Sequence, residues 1–600
     1  MLMHSYAKLE LESGSKLIGV MLQRPVTTVG EIKPQDIANL MRAYATLKLE
    51  PGVEVVQAIS RRAVSMAGEF EPQHIANLMW AFATLYLEPG AELAGAMSRR
   101  AVSTAGEFKP QAVADLMWAF SKVGIVPGTD LAGAMSRRAV STAGEFKPQD
   151  VANLMRAHAK IGLRPGAELV RAMSRRAVST VGEFEPKDVS YLMWAYARLR
   201  LKPDAELTAE MFRRAVSTAG DFTPRNIAIL LWAWAKLNLV PGAELVGAIS
   251  KRTVSMAEEF DPQAVSNLVW AFATLKLQPG AEVVRAISRR AILMAGEFKT
   301  QEVANLMWAF ATLRLEPGAE LAGAMSRRAV STAGEFDPQA VSNLMWAYAT
   351  LGLEPGAELA GAMSRQAVST AGEFKPQAVS NLIWAYATLG LEPGADLITA
   401  MSRRAVLTAG EFEPQSIANL MWAYATLGLE PEAELADTML RRAVSTAGEF
   451  EQQAVSNLMW AYAVLGLEPL GQVWFEHSAL SSLPISGMSQ LHQCFLCMDL
   501  EGLLHGALPP QTDHAALRKQ CRATFEGNAV KTSGLERAVA ERLLDMGVGL
   551  TLDAREPRTG YSVDILVEGP PPVAVEVDGP WHFVREPGQA RFILIVRNLT

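Results

Sequence analysis

Phe70-Glu-Pro-Gln-His-Ile-Ala-Asn-Leu-Met-Trp-Ala-Phe-Ala-Thr-Leu-Tyr-Leu-Glu-Pro-Gly90 runs into Ala91-Glu-Leu-Ala-Gly-Ala-Met-Ser-Arg-Arg-Ala-Val-Ser-Thr-Ala-Gly106, and the same sentence restarts at Phe108. Pro72 suits the first turn of a helix, where its missing N–H costs nothing, and Pro89-Gly90 stops that helix and turns the chain. The second helix is expected to end near Gly106. Each unit therefore reads as a helix hairpin: helix A near Pro72 to Leu85, helix B near Ala91 to Ala105.

The unit recurs every 38 residues, most visibly through Trp80, Trp118, Trp194, Trp232, Trp270, Trp308, Trp346, Trp384, Trp422 and Trp460, with Arg42 and Arg156 at the same place in two further copies. Helix A occurs 12 times between Pro34 and Gln452. A hairpin of this size buries its apolar face only against its neighbours, so the period implies an array and not four separate globular domains. Tyr6-Ala-Lys-Leu-Glu-Leu-Glu aligns with Tyr44-Ala-Thr-Leu-Lys-Leu-Glu, which puts Met1 inside a first, truncated helix by this reading.

Half of the 600 residues are hydrophobic and 20% are charged, which places the chain in the folded class. The net charge of -7 carries no bulk signal for nucleic acid, so any such binding has to come from charge placed locally. Three cysteines exclude a disulfide framework. No run approaches 18 apolar residues, so no membrane span is expected.

On helix A, Ile75, Leu78, Met79, Phe82 and Leu85 form an apolar stripe that Ala76 and Ala83 carry round a second side. Gln73, Asn77 and Thr84 occupy the remaining polar arc, with His74 at its margin and Trp80 at its edge. A helix apolar on two sides is sandwiched between neighbours, and its polar arc is the first candidate binding surface. The tryptophan reads first as a core wedge between hairpins. As an alternative it is a stacking platform for an unpaired base, a role arginine also performs at Arg42 and Arg156.

Asn77 has equivalents in Asn39, Asn153, Asn267, Asn305, Asn343, Asn381, Asn419 and Asn457, broken by Asp115, Tyr191 and Ile229. An amide there can read base edges or can satisfy local groups. The position three before it varies more, through Asp36, His74, Ala112, Asp150, Asp188 and Asn226. On helix B, arginine pairs such as Arg99-Arg100, Arg137-Arg138 and Arg327-Arg328 repeat at one place, and a basic stripe of this kind can follow a phosphate backbone.

Period and motif together, in the Pro-Gln start and the Ala-Asn-Leu-Met-Trp-Ala-Phe-Ala-Thr-Leu run, resemble the octotricopeptide repeat family over about 470 residues. The resemblance implies single-stranded RNA as partner and a role in RNA processing, stability or translation in a mitochondrion or chloroplast. The run Val575-Glu-Val-Asp-Gly-Pro-Trp-His-Phe583 resembles the RAP domain, which is similar to restriction-endonuclease-like folds.

The expected fold is thus mainly α: a right-handed α-solenoid of 38-residue helix hairpins over residues 1–470, a helical connector over 471–530, and a small α/β RAP-like domain over 531–600. In that domain the helix Gly534–Leu544 precedes two strands that carry Asp564 and the pair Glu576 and Asp578. Converging carboxylates of this type hold Mg²⁺, with Asp564 and Glu576 as the metal candidates and Asp564, Glu576 and Asp578 as catalytic candidates for RNA cleavage. Asp578 stands where the nuclease motif has lysine. Cys494 and Cys497 have metal-ligand spacing but read better as core cysteines, only Cys521 remaining as a third. Three functions stay open at this point: single-stranded RNA binding, a protein-protein interaction scaffold, and a metal-dependent ribonuclease.

Overall fold

The computed structural model describes residues 32–465, 467, 514–527, 544, 549–555, 562–567, 573–576 and 595–598. The chain forms two compact units, one of Met1–Phe298 with Pro317–Leu321 and one of Lys299–Glu316 with Ala322–Thr600. The first contains α1 (Pro34–Thr46), α2 (Val53–Ser65), α3 (Pro72–Thr84), α4 (Gly90–Ser103), α5 (Pro110–Val123), α6 (Thr129–Ser141) and α7 (Pro148–Ile161). It continues with α8 (Ala167–Ser179), α9 (Pro186–Arg198), α10 (Ala205–Ser217), α11 (Pro224–Leu237), α12 (Ala243–Ser255), α13 (Pro262–Thr274) and α14 (Ala281–Leu293). The second contains α15 (Thr300–Thr312), most of α16 (Gly318–Ser331), α17 (Pro338–Leu351), α18 (Gly356–Ser369), α19 (Pro376–Thr388), α20 (Ala395–Leu407), α21 (Pro414–Leu427), α22 (Ala433–Ser445) and α23 (Gln452–Val464). Odd-numbered helices are the A helices of the repeat and even-numbered ones the B helices.

Each hairpin follows from local chemistry. Glu71 is extended (φ -83°, ψ 159°), as a residue before proline prefers, and Pro72 opens α3. The helix closes through a left-handed residue, Tyr86 at φ 57°, with the Leu87 N–H donating to the Phe82 carbonyl at 2.9 Å. One period later the left-handed residue is Gly124, φ 77°. Helix B ends earlier than its composition suggests, at Ser103, where the hydroxyls of Ser103 and Thr104 donate to the Arg100 carbonyl at 2.8 and 2.9 Å. A single 3-10 turn, Ala105–Glu107, then delivers the fully buried Phe108 to the next repeat.

Within the first unit the A helices pack side by side along their length in the order α1, α3, α5, α7, α9, α11, α13, and in the second α15, α17, α19, α21, α23 do the same. Ala76, Ala81 and Ala83 are fully buried, and small side chains let the backbones approach closely. Neighbouring B helices meet over a much shorter stretch. The expected two-sided burial of helix A is therefore observed.

Beyond the repeats, α24 (His514–Gly527) buries Cys521, and burial pushes its thiol up to about 11. Four strands follow: β1 (Leu550–Arg555), β2 (Ser562–Val567), β3 (Val573–Glu576) and β4 (Ile595–Asn598), in the order β1-β2-β3-β4. Every pairing is antiparallel, the arrangement that hairpin connections permit. The α/β domain expected over 531–600 is thus represented among the described residues by an antiparallel sheet. Its expected helix lies outside them except for Leu544. Among the described residues no helix is long and apolar enough to cross a membrane.

Candidate nucleic-acid interface

Gln73, Asn77, Trp80 and Thr84 are spaced i, i+4, i+7, i+11 on α3, which lines them up along one side of the helix. Around them Ile75, Ala76, Leu78, Met79, Ala81, Phe82 and Ala83 are buried. This line is the part of helix A that faces out of the row. All ten repeat tryptophans lie on it and all are half-buried, as are Arg42 and Arg156. The core-wedge expectation is corrected accordingly: position i+7 from Gln73 falls on the polar line, and the core is filled instead by Phe82 and its equivalents Tyr44, Phe120, His158, Tyr196 and Trp234.

Ring faces near the line are in contact with one another or with cations. Trp80 and Trp118 have centroids 6.5 Å apart at 31°, and Trp422 and Trp460 6.4 Å apart at 36°. Arg42 lies 5.6 Å from the Trp80 centroid, Arg156 3.8 Å from that of Tyr191, and Lys236 5.9 and 4.6 Å from those of Trp232 and Trp270.

The asparagines form amide pairs with the glutamine one turn before them. Gln73 Nε2 donates to Asn77 Oδ1 at 3.0 Å, and the same bond recurs from Gln301 to Asn305, Gln339 to Asn343, Gln415 to Asn419 and Gln453 to Asn457 at 2.7–3.2 Å. With Oδ1 accepting, the Nδ2 group is the donor such a pair can offer a ligand. Arg42 Nη1 also donates to Asn77 Oδ1, at 2.6 Å, and Asn77 is buried. Asn39, Asn153, Asn267, Asn305, Asn343, Asn381, Asn419 and Asn457 are half-buried on the same line.

The more variable position three residues earlier is not on this line. Asp150, Asp188 and Asn226 are buried at the helix N-terminus, and Asp188 accepts from the Glu185 N–H at 3.3 Å. Burial pushes the Asp188 carboxyl up to about 6, and burial with the neighbouring Asp150 does the same to Asp115. Variation there serves capping and packing.

The arginine pairs divide between two environments. Arg100 Nε donates to the Phe70 carbonyl at 2.8 Å, Arg138 Nε to Phe108 at 2.7 Å, and the bond repeats at Arg176, Arg214, Arg252, Arg290, Arg404 and Arg442. Where the pair reads Arg365-Gln366, Gln366 Nε2 reaches the Phe336 carbonyl at 2.6 Å. The second residue of the pair thus ties helix B to the chain entering helix A of its own repeat, and Arg328 is half-buried at that same place. Arg99, Arg137 and Arg327, the first residues, are exposed.

Asp564 lies on β2 and Glu576 ends β3. The β2–β3 register runs from Ile565 opposite Val575 to Val567 opposite Val573, and Glu576 pairs with Ile595 of β4. Asp578, Cys494, Cys497 and His582 lie outside the described residues.

The fold and the half-buried line on its A helices define a helical-hairpin repeat protein. A family model described as RNA-editing substrate-binding complex 6 protein matches residues 1–280 and again 280–479. The chain belongs to that family. None of the curated proteins compared with it matches. Among known structures it is similar to a chain of a homology model of the full-length AP-3 complex in an intermediate open conformation (11% identity over 84% of this chain and 92% of that one, TM-score 0.30). It is also similar to one from Kap121p bound to Nup53p (10% identity, 88% and 58%, TM-score 0.24). Likenesses at such TM-scores have no bearing on function.

Proposed function

We propose that the protein binds single-stranded RNA along the half-buried line of its A helices, as a component of an RNA-processing assembly in a mitochondrion or chloroplast. The observation that carries this reading is the pairing, on α3, α15, α17, α21 and α23, of a half-buried tryptophan with an adjacent hydrogen-bonded Gln–Asn amide pair. Bases stack on aromatic side chains irrespective of sequence, and amides hydrogen-bond base edges. The family's printed name, an RNA-editing substrate-binding complex protein, supports an RNA-associated role and protein partners together. The octotricopeptide-type reading of one base per repeat belongs to this proposal and gives a footprint of roughly 12 nucleotides.

One observation favours a protein-binding scaffold as second reading: six A helices, α3, α13, α15, α17, α19 and α21, carry the identical line Gln, Asn, Trp, Thr. Such uniformity offers little base discrimination. Anisotropy titration with a labelled single-stranded RNA, repeated across salt concentrations, separates the two. RNA binding predicts affinity falling steeply with salt, with a slope of about -0.7 per phosphate neutralised. No binding at low salt would leave the scaffold reading standing alone.

A further inference from the structure

The departures from the Gln, Asn, Trp, Thr line are concentrated in four consecutive A helices, α5, α7, α9 and α11. The last place in the line is threonine at Thr46, Thr84, Thr274, Thr312, Thr350, Thr388 and Thr426, but Lys122, Lys160, Arg198 and Lys236 in these four. The first place is glutamine in the other A helices but Lys187 on α9 and Arg225 on α11. With Arg156 on α7 the segment carries seven cations on the line and one acid, Asp115. Lys187 pairs with Glu185 at 2.8 Å; no other of the seven is in an ion pair among the described residues.

Helix-end electrostatics do not explain this pattern. Cations in the last turn do complement the macrodipole, yet seven repeats with the same dipole carry threonine there. Arg225 stands in the first turn of α11, where the dipole opposes it, and Lys122 and Arg156 beside Lys160 lower its pKa further after burial has done so. Like charges gathered without acidic partners cost stability unless an anion compensates them.

The same segment holds a half-open cavity of about 450 Å³. Tyr191, Trp194 and Trp232 supply its aromatic walls and Arg156, Lys160, Arg198 and Arg225 its charge, while no B-helix residue lines it. Its one acid, Asp261, is engaged as the N-cap of α13, accepting from the Ala264 N–H at 2.7 Å. Of the asparagine positions that border it, Asn267 keeps the common amide, while Tyr191 and Ile229 exchange it for ring and apolar surface. Volume, aromatic walls and a cationic rim together match one nucleotide.

We propose that this cavity seats a single nucleotide of the bound RNA, its base against Tyr191, Trp194 and Trp232 and its phosphate on Arg198 and Arg225. Lys122, Lys160 and Lys236 hold the flanking phosphates. The site fixes the register of the strand on a track whose other repeats are nearly uniform. It rests on the RNA reading given above.

The test uses the full chain and labelled single-stranded RNA. One variant, Lys122→Thr/Lys160→Thr/Arg198→Thr/Lys236→Thr, installs the residue that seven repeats already carry. A second, Tyr191→Asn/Ile229→Asn, restores the common asparagine. A charge-matched control, Arg164→Gln/Arg171→Gln/Lys202→Gln/Arg285→Gln, alters exposed cations of helix B and the hairpin loops that belong neither to the line nor to the arginine pairs. The first variant weakens binding at least tenfold and flattens the salt slope by about 3, four cations at roughly 0.7 each. The second weakens binding about tenfold with the slope unchanged, the size of one lost base stack. The control matches wild type.

Wild-type binding that both cavity variants retain overturns the nucleotide site while leaving the RNA reading intact, whereas absence of wild-type binding overturns both. AMP that binds the wild type but not the second variant, with RNA affinity equal in the two, identifies a free-nucleotide site and overturns the proposal.

Discussion

Arg137 and Arg138 are adjacent in the chain yet about 100° apart around their helix, and that angle separates their roles. Arg138 holds the Phe108 carbonyl at 2.7 Å, while Arg137 is exposed. Arg138→Ala leaves a part-buried carbonyl without its charged donor and is expected to cost about 1.5–3 kcal/mol in chemical denaturation. Arg137→Ala is expected to stay within about 0.5 kcal/mol. Equal losses in the two would refute the division. The repeated pair was legible as a ladder, but not which member faced inward, because the letters are the same and the acceptor is a backbone atom 30 residues away. The cations at Lys122, Lys160, Arg198 and Lys236 were equally available in the sequence. They show only when one position is compared across all repeats, against its prevailing threonine.

At the level of the element, both ends of helix A were readable from proline and glycine, and the structure adds what composition hides. Arg314 is left-handed at φ 54° where Gly352 and Gly390 stand in later repeats. Arg314→Gly should raise stability by about 0.5–1 kcal/mol, the relieved backbone strain outweighing glycine's entropy; a lower melting temperature would contradict this. Asp115 occupies an asparagine position, and burial with the Asp150 charge raises its carboxyl to about 6. A raised carboxyl binds its proton more tightly folded than unfolded, so its contribution is greatest at low pH and is lost as pH rises through about 6. Asp115→Asn should therefore raise the melting temperature at pH 8 more than at pH 5, and a pH-independent difference would sink the explanation. The tryptophan marked the period without marking its own exposure. Its burial depends on where the seam between neighbouring A helices falls, and a helix apolar on two sides leaves that phase ambiguous.

For the whole molecule, the repeat was legible from its period because each hairpin is stable only on its neighbours, and the family match over 1–280 and 280–479 follows the same extent. The C-terminal strands at Ser562–Val567 and Val573–Glu576 were also readable, but their antiparallel order depends on pairing partners that no local pattern names. RNA held along the half-buried line of the A helices has to touch the rings on that line. Ultraviolet crosslinking of the full protein to single-stranded RNA, with the modified residues located by mass spectrometry, reads that contact. Crosslinks are expected on Tyr191, Trp194, Trp232 and their line equivalents, with loss of those crosslinks at high salt. Crosslinks confined to the even-numbered helices around Arg99, Arg137 and Arg327 would contradict RNA binding along the A helices.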